Sequence, residues 1–414
     1  MERYTSGADA PRREAGAWGV PGGTTRAARR APRAAVGVHR RAERAILRGM
    51  PAPQDPPVRT PDATVPPGRP APPVLPGDDP AAIATAAAHL RAGGLVAFPT
   101  ETVYGLGANA LDARAGARVF AAKERPAFDP LIVHLADASE VGAYAQVEDA
   151  DDPRVARLAA RFWPGPLTLV LRKRALIPGI VTAGLPTVGL RVPDHAVARA
   201  LIRAAGVPLA APSANRFGQL SPTRAAHVVA GLGARVDLVL DGGPCAVGVE
   251  STVILLAAGR SALLRPGGLA VEAIEAEIGR LEILADGAPG TAELAPGRAG
   301  AHYAPRVPLE IADPRDPAAA PAFRVRPGER VGLLAATDAG RRAAEEAGGP
   351  FAAVEILDPD GDLVGTAAHL FDALHALQAA DISRIVAEPI PSTGLGRAVM
   401  DRLRRASGDA PGRQ

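Results

Sequence analysis

Residues 98–134 read FPTETVYGLGANALDARAGARVFAAKERPAFDPLIVH, and this stretch decides the fold of the first half of the ordered chain. A short apolar run ends at Pro99, and polar residues and glycines follow it. Strong helix formers then run through residues 113–122, and a second apolar run ends at His134. Strand-like runs that alternate with helical patterns are typical of α/β domains.

The same alternation continues on both sides, so we predict a large α/β domain over residues 80–282. Its predicted strands are 95–98, 131–134, 167–171, 188–192, 209–211, 238–240, 253–256 and 263–264. Its predicted helices are 81–91, 113–122, 154–162, 196–205, 224–229 and 271–278. The glycines of residues 105–110 predict a turn that exposes backbone N–H groups to a ligand.

A second, smaller domain is predicted over residues 309–408, after a linker of Gly, Pro and Ala at 283–308. Its pattern is strand 331–335, helix 340–347, strand 353–357, helix 364–379, strand 382–387 and helix 396–406. This order predicts a doubly wound, Rossmann-like sheet with parallel strands. Residues 409–414 form a short tail.

Residues 1–79 are rich in Arg and Pro and predict a disordered extension. Eleven arginines and four acidic residues lie in 1–49, whereas residues 50–414 hold 36 basic and 40 acidic residues, so the basic pI of about 9.4 comes from this extension. The extension is interpreted as a nucleic-acid arm, a transit peptide or, as the favoured alternative, a segment before the true start at Met50. No apolar run approaches the roughly 18 residues that cross a membrane, and the single Cys245 suits a reducing compartment. We therefore expect a cytoplasmic protein without a membrane segment.

Rare residues mark the candidate site. The chain has only two lysines and two asparagines, and the opening stretch contains Lys123 and Asn109. Lys123 and Arg125 together could bind phosphates as a point charge and a planar fork. Their alternative role is to compensate the dipole at the end of a helix.

The other asparagine, Asn215, lies in APSANRFGQLSPT (residues 211–223), where Ser213, Ser221 and Thr223 are also polar. Turn chemistry explains each of these residues singly, but four of them after a buried strand favour a ligand site. Residues 105–110 also fit the Ala-ended dinucleotide fingerprint, although the spacing makes nicotinamide binding a weak alternative. A phosphate-binding P-loop motif is absent from the sequence.

Four further residues lie at or near strand ends. Arg191 is expected to meet a carboxylate, in the protein or in a substrate, and Arg265 is placed to meet a phosphate. His134 is either a structural hydrogen-bond donor or a ligand contact, and Cys245 lacks a basic neighbour in the sequence to activate it.

These segments together resemble one family, the YrdC-type L-threonylcarbamoyladenylate synthases in the long form with a C-terminal domain. The motifs are PTETVYGLGANA, KERP, PLIVH, WPGPLTLVL, LRVP, APSAN, SPT, GVEST, LLRPG and HYAP, in this order from about residue 93 to 408. The resemblance implies a twisted mixed sheet with an open concave cleft. It also implies synthesis of threonylcarbamoyl-AMP and pyrophosphate from L-threonine, bicarbonate and ATP, for N6-threonylcarbamoyladenosine in tRNA.

The resemblance also implies roles for individual residues. Lys123 and Arg125 would be catalytic and would bind ATP. The implied ATP-binding set is completed by Thr187, Ser213, Asn215, Ser221, Arg265 and Tyr303. The implied threonine-binding set is Thr100, His134, Arg191, Ala211 and Ser251. Magnesium would accompany ATP without a dedicated protein site, and the linker would act as a lid.

Implied partners are the three substrates and, further on, tRNA or the complex that transfers the threonylcarbamoyl group. The alternative reading is an RNA-binding module of the same fold without adenylate synthesis, which the acidic balance of residues 50–414 disfavours. A hydrogenase-maturing relative would need Cys-rich zinc fingers, which one cysteine excludes. The chain departs from the family pattern at Asp129, at Phe217 and before HYAP, where Arg298-Ala-Gly-Ala replaces the usual Met-Lys pair.

Overall fold

The computed structural model describes residues 70–126, 128–257, 259–283 and 302–408, all within one compact unit. The predicted extension up to residue 69, the linker residues 284–301 and the tail 409–414 lie outside the described residues. Among the residues described, no helix has both the length and the apolar character needed to cross a membrane.

A mixed sheet forms the first domain, as the resemblance implied. Its strands are β1 (Val74–Pro76), β2 (Val96–Phe98), β3 (Gly105–Asn109), β4 (Ile132–His134), β5 (Leu167–Arg172), β6 (Thr187–Arg191), β7 (Leu209–Ala210), β8 (Leu238–Asp241), β9 (Thr252–Ala257), β10 (Arg260–Arg265) and β11 (Glu282–Ile283). Their order in the sheet is β1-β8-β2-β3-β7-β4-β6-β5-β9-β10-β11. The parallel pairs β4–β6 and β5–β9 alternate with antiparallel pairs such as β5–β6.

Helices connect these strands, and most begin or end where the sequence predicts. They are α1 (Pro80–Arg91), α2 (Ala113–Lys123), α3 (Val141–Tyr144), α4 (Val147–Ala150), α5 (Pro153–Phe162), α6 (Ala196–Ala205), α7 (Ala225–Leu232) and α8 (Val271–Ile278). Asp79 caps α1 by accepting a hydrogen bond from the Ala81 N–H, and Pro80 occupies its first turn.

The prediction that order begins near Pro80 was wrong, because β1 lies within the segment assigned to the extension. β1 pairs in parallel with β8, with Val74 opposite Val239. The strand occupies the edge of the sheet, where prolines are tolerated since no partner needs their missing N–H. The sequence analysis therefore missed an edge strand because the segment is rich in proline.

The predicted turn at residues 105–110 was also wrong, because Gly105–Asn109 is strand β3. It pairs antiparallel with β2, with Val96 opposite Gly107. A Cβ added to Gly107 would lie 2.7 Å from Cε1 of Phe98, so the glycine makes room for this aromatic ring. The glycines serve close packing inside the sheet and do not form a ligand-binding turn.

The second domain is the predicted doubly wound unit. Its strands are β12 (Leu309–Ile311), β13 (Val331–Ala335), β14 (Ala353–Ile356) and β15 (Arg384–Ala387), and its helices are α9 (Ala320–Phe323), α10 (Asp338–Gly348), α11 (Leu363–Ala379) and α12 (Gly396–Ser407). The strands are parallel throughout, in the order β12-β15-β13-β14. The sequence analysis missed β12 and α9.

The two domains share a buried apolar cluster. Val103 and Leu220 of the first domain belong to the same cluster as Phe371 and Leu374 of α11. Tyr303, which follows the linker, also belongs to it. Because apolar burial is the main favourable term in folding, this shared core fixes the second domain close to the strand ends of the first.

Candidate active site

Loops that follow several strands of the large sheet meet around a buried cavity of about 40 Å³. The sequence-predicted residues that line it are Thr100, Arg125, His134, Arg191, Ala211, Ser213, Ser251, Arg265 and Tyr303. The parallel register of β4 and β6 places His134 opposite Arg191, so the sheet itself positions these two residues. The fold thus brings three arginines from distant parts of the sequence to one space.

Lys123 lies behind the cavity. Its Nζ donates to the carbonyl oxygens of Ser213 at 2.5 Å and Asn215 at 2.6 Å, and to Oδ1 of Asn215 at 3.2 Å. These contacts use the three donors of the ammonium group. Burial first, and then the charge of Arg125, lower the pKa of Lys123 well below its usual value. In this structure Lys123 therefore shapes the Ser213–Asn215 loop, and it is not among the residues that line the cavity.

Arg125 lies two residues after Lys123, and Glu124 between them ends α2 in the left-handed conformation at φ 54°. Its Nη2 lies 2.9 Å from Oδ1 of Asp129, and both side chains are buried. Its Nε and Nη2 also donate to the carbonyl oxygens of Asp129 at 3.1 Å and Pro130 at 2.9 Å. These contacts fix the guanidinium plane beside the cavity, and Asp129, a departure from the family pattern, balances its charge.

Arg191 has a protein partner that the sequence analysis missed. Its Nη2 lies 2.7 Å from Oε1 of Glu101 and donates to Oγ1 of Thr102 at 3.0 Å. Glu101 and Arg191 are both buried, at 7% and 4% exposure. The expectation of a carboxylate near Arg191 is met inside the protein, and a guanidinium with five N–H donors can still contact a second carboxylate.

Arg265 reaches the cavity from the end of β10. Its Nη2 donates to the carbonyl oxygen of Ser251 at 2.9 Å, and the Ser251 hydroxyl lies 2.8 Å from Oγ1 of Thr168. Burial lowers the pKa of Arg265 from its usual value. Ser251 and Arg265 are therefore held as one unit.

His134 is neutral, and part of its hydrogen-bonding capacity is unused. Burial first, and then the charge of Arg191, lower the pKa of His134 to about 3. Its Nδ1 has no hydrogen-bond partner among the described residues, although it is buried. A buried polar atom without a partner carries a cost of about 1–3 kcal/mol, which a ligand could relieve.

The second domain reaches the site through a chain of contacts. The Ser221 hydroxyl donates to Oε1 of Glu250, and Nε of Arg402 in α12 donates to Oε2 of the same carboxylate at 2.9 Å. Burial alone would raise the pKa of Glu250, but Arg402, Arg265 and the Ser221 hydrogen bond outweigh it and lower the pKa. Glu250 lines the cavity, so a residue of the second domain fixes a charge of the site. Neither Glu250 nor Arg402 was predicted, and GVEST was the only sequence signal for the first.

His302 and Tyr303, which follow the linker, lie in the lining of the cavity. Tyr303 is 1% exposed. Cζ of Arg402 lies over its aromatic ring, 5.2 Å from the ring centre. His302 meets the ring of Phe217 edge-on at 5.3 Å, so this departure from the family pattern packs against the HYAP segment. Tyr303 has a φ of 62°, an uncommon conformation for a residue with a Cβ.

Some predicted residues do not line the cavity. Asn215 donates from Nδ2 to the carbonyl oxygens of Arg216 and Gln219, and Ser221 is engaged by Glu250, so both organise the loops around the site. Thr187, which the resemblance assigns to ATP, lines a separate, smaller space of about 10 Å³. It begins β6 four residues before Arg191, which at about 3.3 Å per residue places it roughly 13 Å along the strand.

Cys245 is buried, and burial raises the pKa of its thiol to about 12, which agrees with the prediction of an unreactive cysteine. Across the described ranges, no three His, Cys, Asp or Glu side chains come together as a metal-binding group.

Comparisons with known proteins match both domains. A family model described as telomere recombination, for Sua5, YciO and YrdC proteins, matches residues 88–267. The model of the threonylcarbamoyl-AMP synthase C-terminal domain matches residues 269–408. The fold and the matched residues thus define a two-domain protein of the Sua5 type.

Relatives match over most of their length. Threonylcarbamoyl-AMP synthase of Bacillus subtilis (strain 168) is 44% identical over 338 residues, or 79% of this chain and 93% of that protein. The Pyrococcus abyssi (strain GE5 / Orsay) protein of the same name is 42% identical over 331 residues, or 79% and 94%. The crystal structure of P. abyssi Sua5 complexed with L-threonine has a TM-score of 0.71 at 41% identity, and the match covers 79% of this chain and 94% of that one. The chain belongs to the threonylcarbamoyl-AMP synthase family.

Proposed function

We propose that this chain forms threonylcarbamoyl-AMP and pyrophosphate from L-threonine, bicarbonate and ATP, for N6-threonylcarbamoyladenosine in tRNA. The observation that carries the proposal is the convergence of Arg125, Arg191 and Arg265 on one buried cavity beside neutral His134. Family membership supports the reaction, and the L-threonine in the P. abyssi complex supports the amino acid. The enzyme is a nucleotidyltransferase.

The chemistry needs positioning and charge stabilisation more than a protein nucleophile. The neutral amine of threonine forms a bond to the carbon of bicarbonate, and water leaves to give a carbamate. A carbamate oxygen then attacks the α-phosphorus of ATP, and the bond to the bridging oxygen breaks as pyrophosphate departs. Fixed arginines in a buried cavity suit this reaction, because they stabilise developing negative charge without reorganising.

Threonine would occupy the part of the cavity next to β4 and β6. Arg191 would contact its carboxylate while Glu101 holds the guanidinium from behind. The unpartnered Nδ1 of His134 would accept a hydrogen bond from the amino acid, since the imidazole is neutral. Thr100, Ala211 and Ser251 would complete the walls.

ATP would occupy the part near Arg125, Arg265 and Tyr303, and the cavity would widen to admit it, because about 40 Å³ is far below the roughly 300–1,000 Å³ of a small-molecule site. Ser213 would contact the nucleotide, whereas Lys123 and Asn215 would fix the loop that presents it. Thr187 has no role in this proposal.

Magnesium would accompany ATP and neutralise charge on its phosphates. The residues present fit an ion held by phosphates and water, because Glu250 is engaged by Ser221 and Arg402, and Glu101 by Arg191. The cytoplasm is the proposed compartment, since a single buried thiol suits reducing conditions. The product would pass to the complex that modifies tRNA.

The test is pyrophosphate release by purified full-length protein from ATP and magnesium, with L-threonine and bicarbonate each present or omitted. The expected result is release that needs both. ATP binding without such release, or release that is indifferent to threonine, would reject the proposal. A steep salt dependence of tRNA affinity in the absence of release would favour the RNA-binding alternative.

A further inference from the structure

A second, larger cleft lies between α7 of the first domain and α11 of the second, beside β14. Its volume is about 720 Å³, within the roughly 300–1,000 Å³ that is typical of small-molecule sites. Small side chains from both helices form much of its lining, namely Ala226, Ala230, Ala373, Ala376 and Ala379. Because these side chains are small, they leave room for a flat ligand between the two helices, a space here called the slot.

Imidazole rings give the slot a flat polar surface. The rings of His227 and His375 stack with centroids 3.8 Å apart and planes 16° apart. Nε2 of His375 lies 3.1 Å from the carbonyl oxygen of Ser221, and a carbonyl can only accept, so Nε2 carries the hydrogen and Nδ1 is an acceptor. By the same argument, Nδ1 of His369 donates to the carbonyl of Leu357 at 2.9 Å and leaves Nε2 as an acceptor.

The formal charges of the lining balance. The two positive charges of Arg224 and Arg306 equal in number the two negative charges of Glu355 and Asp372. Burial, followed by the nearby His227, lowers the pKa of His375 to about 4, so that ring is neutral. Asp372 is already bound, by Nη2 of Arg224 at 2.6 Å and by the Thr223 hydroxyl at 2.8 Å. The carboxylate of Glu355 has no hydrogen-bond or ion-pair partner within the described ranges. A balanced lining does not favour a polyanion. Its unused groups include acceptors on Glu355, His375 and His369 and donors on Arg306 and Gln378, so it suits a neutral ligand that carries both kinds of group.

We propose that this cleft binds an uncharged, planar heteroaromatic ligand that carries an amino group, of the adenine- or cytosine-nucleoside type. The ring would lie between the alanine walls against the imidazole pair. Its exocyclic amine would donate to Glu355 or to Nδ1 of His375.

The cleft shares a wall with the candidate active site. His375 holds the carbonyl of Ser221, Asp372 holds the hydroxyl of Thr223, and the Ser221 hydroxyl donates to Glu250, which lines the buried cavity. A ligand that contacts His375 or Asp372 would therefore also affect the position of the segment from Ser221 to Thr223, which supports the ATP site. This coupling, unlike the binding itself, rests on the proposed function.

The test is equilibrium dialysis of radiolabelled adenosine against full-length protein, with saturating ATP and magnesium but no threonine, so that the ATP site is filled and no turnover occurs. Ala376→Trp fills the slot from α11, and Ala230→Trp fills it from α7. Ala156→Trp is the matched control, on an exposed position of α5 outside the cleft. Thermal melting confirms that each variant is folded.

The expected result is one adenosine per chain that ATP does not displace, lost in both slot variants and kept in the control. Displacement by ATP, absence of saturable binding, or binding retained in a folded slot variant would overturn the proposal. Uridine, which lacks the amino group, should bind more weakly, and equal binding would refute the assigned ligand class. Adenosine binding without pyrophosphate release would reject only the proposed function. Pyrophosphate release without adenosine binding would reject only this inference.

Discussion

The cavity of the first domain and the N-terminus of α10 in the second domain both present positive charge. A side chain of the protein fills the space beside that charge only at α10. Three arginines of the first domain line a space that the protein leaves unfilled. In the second domain, Oε2 of Glu388 accepts a hydrogen bond from the Ala336 N–H at 2.8 Å, and Oε1 pairs with Arg315. A helix N-terminus stabilises a negative group, and here that group is the carboxylate of the chain itself.

The local packing keeps Glu388 in place. It is 2% exposed, and a Cβ added to Gly340 in α10 would lie 1.8 Å from its Oε2. The comparison teaches that a side chain of the protein itself, Glu388, occupies the position before α10 in this Rossmann-like sheet. The second domain instead supports the first, through Arg402 on Glu250 and His375 on the Ser221 carbonyl.

Removing an arginine from the unfilled cavity should have the largest effect. Arg125→Ala should lower kcat/KM for pyrophosphate release by about 10²–10³-fold, the range seen when one donor to a developing charge is lost. Arg125→Lys keeps the charge beside Asp129 but loses the planar fork, and it should also be impaired. Arg315→Ala, at the filled position, is the control and should retain activity. Near-normal release by Arg125→Ala would show that the cavity is wrongly assigned.

Breaking the support between the domains should mainly cost stability. Arg402→Ala leaves Glu250 as a buried carboxylate without its cation, and the free energy of unfolding should fall by about 3–5 kcal/mol. Denaturant unfolding measures this loss. Arg404→Ala, an exposed neighbour on α12, should change it by less than about 0.5 kcal/mol. If the two variants were equally stable, the Glu250–Arg402 contact would not brace the site.

Changing the threonine side of the cavity should separate the substrates. Arg191→Ala should raise KM for L-threonine at least about tenfold, which corresponds to about 1.4 kcal/mol, with a smaller change for ATP. Because this variant leaves Glu101 without its cation, the double variant Arg191→Ala with Glu101→Gln removes the unpaired charge and should keep the threonine defect. Equal changes in both KM values, or rescue by the double variant, would place Arg191 outside the threonine site.

Removing the carboxylate of Glu388 from the N-terminus of α10 would test whether this position can bind an anion from solution. Glu388→Ala leaves the buried Ala336 N–H unpaired, so the free energy of unfolding should fall by about 1–3 kcal/mol. Inorganic phosphate should restore part of this loss in the variant and have little effect on the wild type, and pyrophosphate release should be retained. A variant that phosphate does not stabilise would mean that α10 offers no anion site even when emptied.

A further expected effect is a pH dependence of stability. The pKa of His134 is lowered to about 3 in the folded chain, against about 6.5 unfolded. The unfolded state therefore binds the extra proton first, and stability should fall as pH drops from about 6.5 towards 3. His134→Gln should flatten this part of the curve of unfolding free energy against pH. An unchanged slope in that variant would mean that His134 does not contribute.

Local sequence signals predicted much of the fold. Residues 196–205 and 271–278 were predicted as helices and are α6 and α8, and both are followed by a glycine. Strand β13 also has the predicted bounds. The missed strand β3 shows the limit of such signals, because its glycines serve the ring of Phe98, a contact that no local pattern records.

The sequence identified several residues that line the cavity, but it identified neither Glu101 nor Glu250 nor the contacts between the side chains. Rare residues and motifs identified Lys123 and Arg125, yet only the fold shows that Lys123 bonds the Ser213–Asn215 loop while Arg125 reaches the cavity. Arg402 is one of four arginines in α12, with Arg397, Arg404 and Arg405, so the sequence gives no sign that Arg402 is the one that meets Glu250. Pairings across about 150 residues depend on how the two domains pack.

The most direct test of the central claim, that the unfilled cavity makes an adenylate, is mass spectrometry of the products formed from ATP, L-threonine and ¹³C-labelled bicarbonate. The account predicts threonylcarbamoyl-AMP that carries one ¹³C atom, formed in step with pyrophosphate by the wild type and by Arg315→Ala but not by Arg125→Ala. Pyrophosphate without a labelled adenylate, or a labelled adenylate from Arg125→Ala at the wild-type rate, would contradict it.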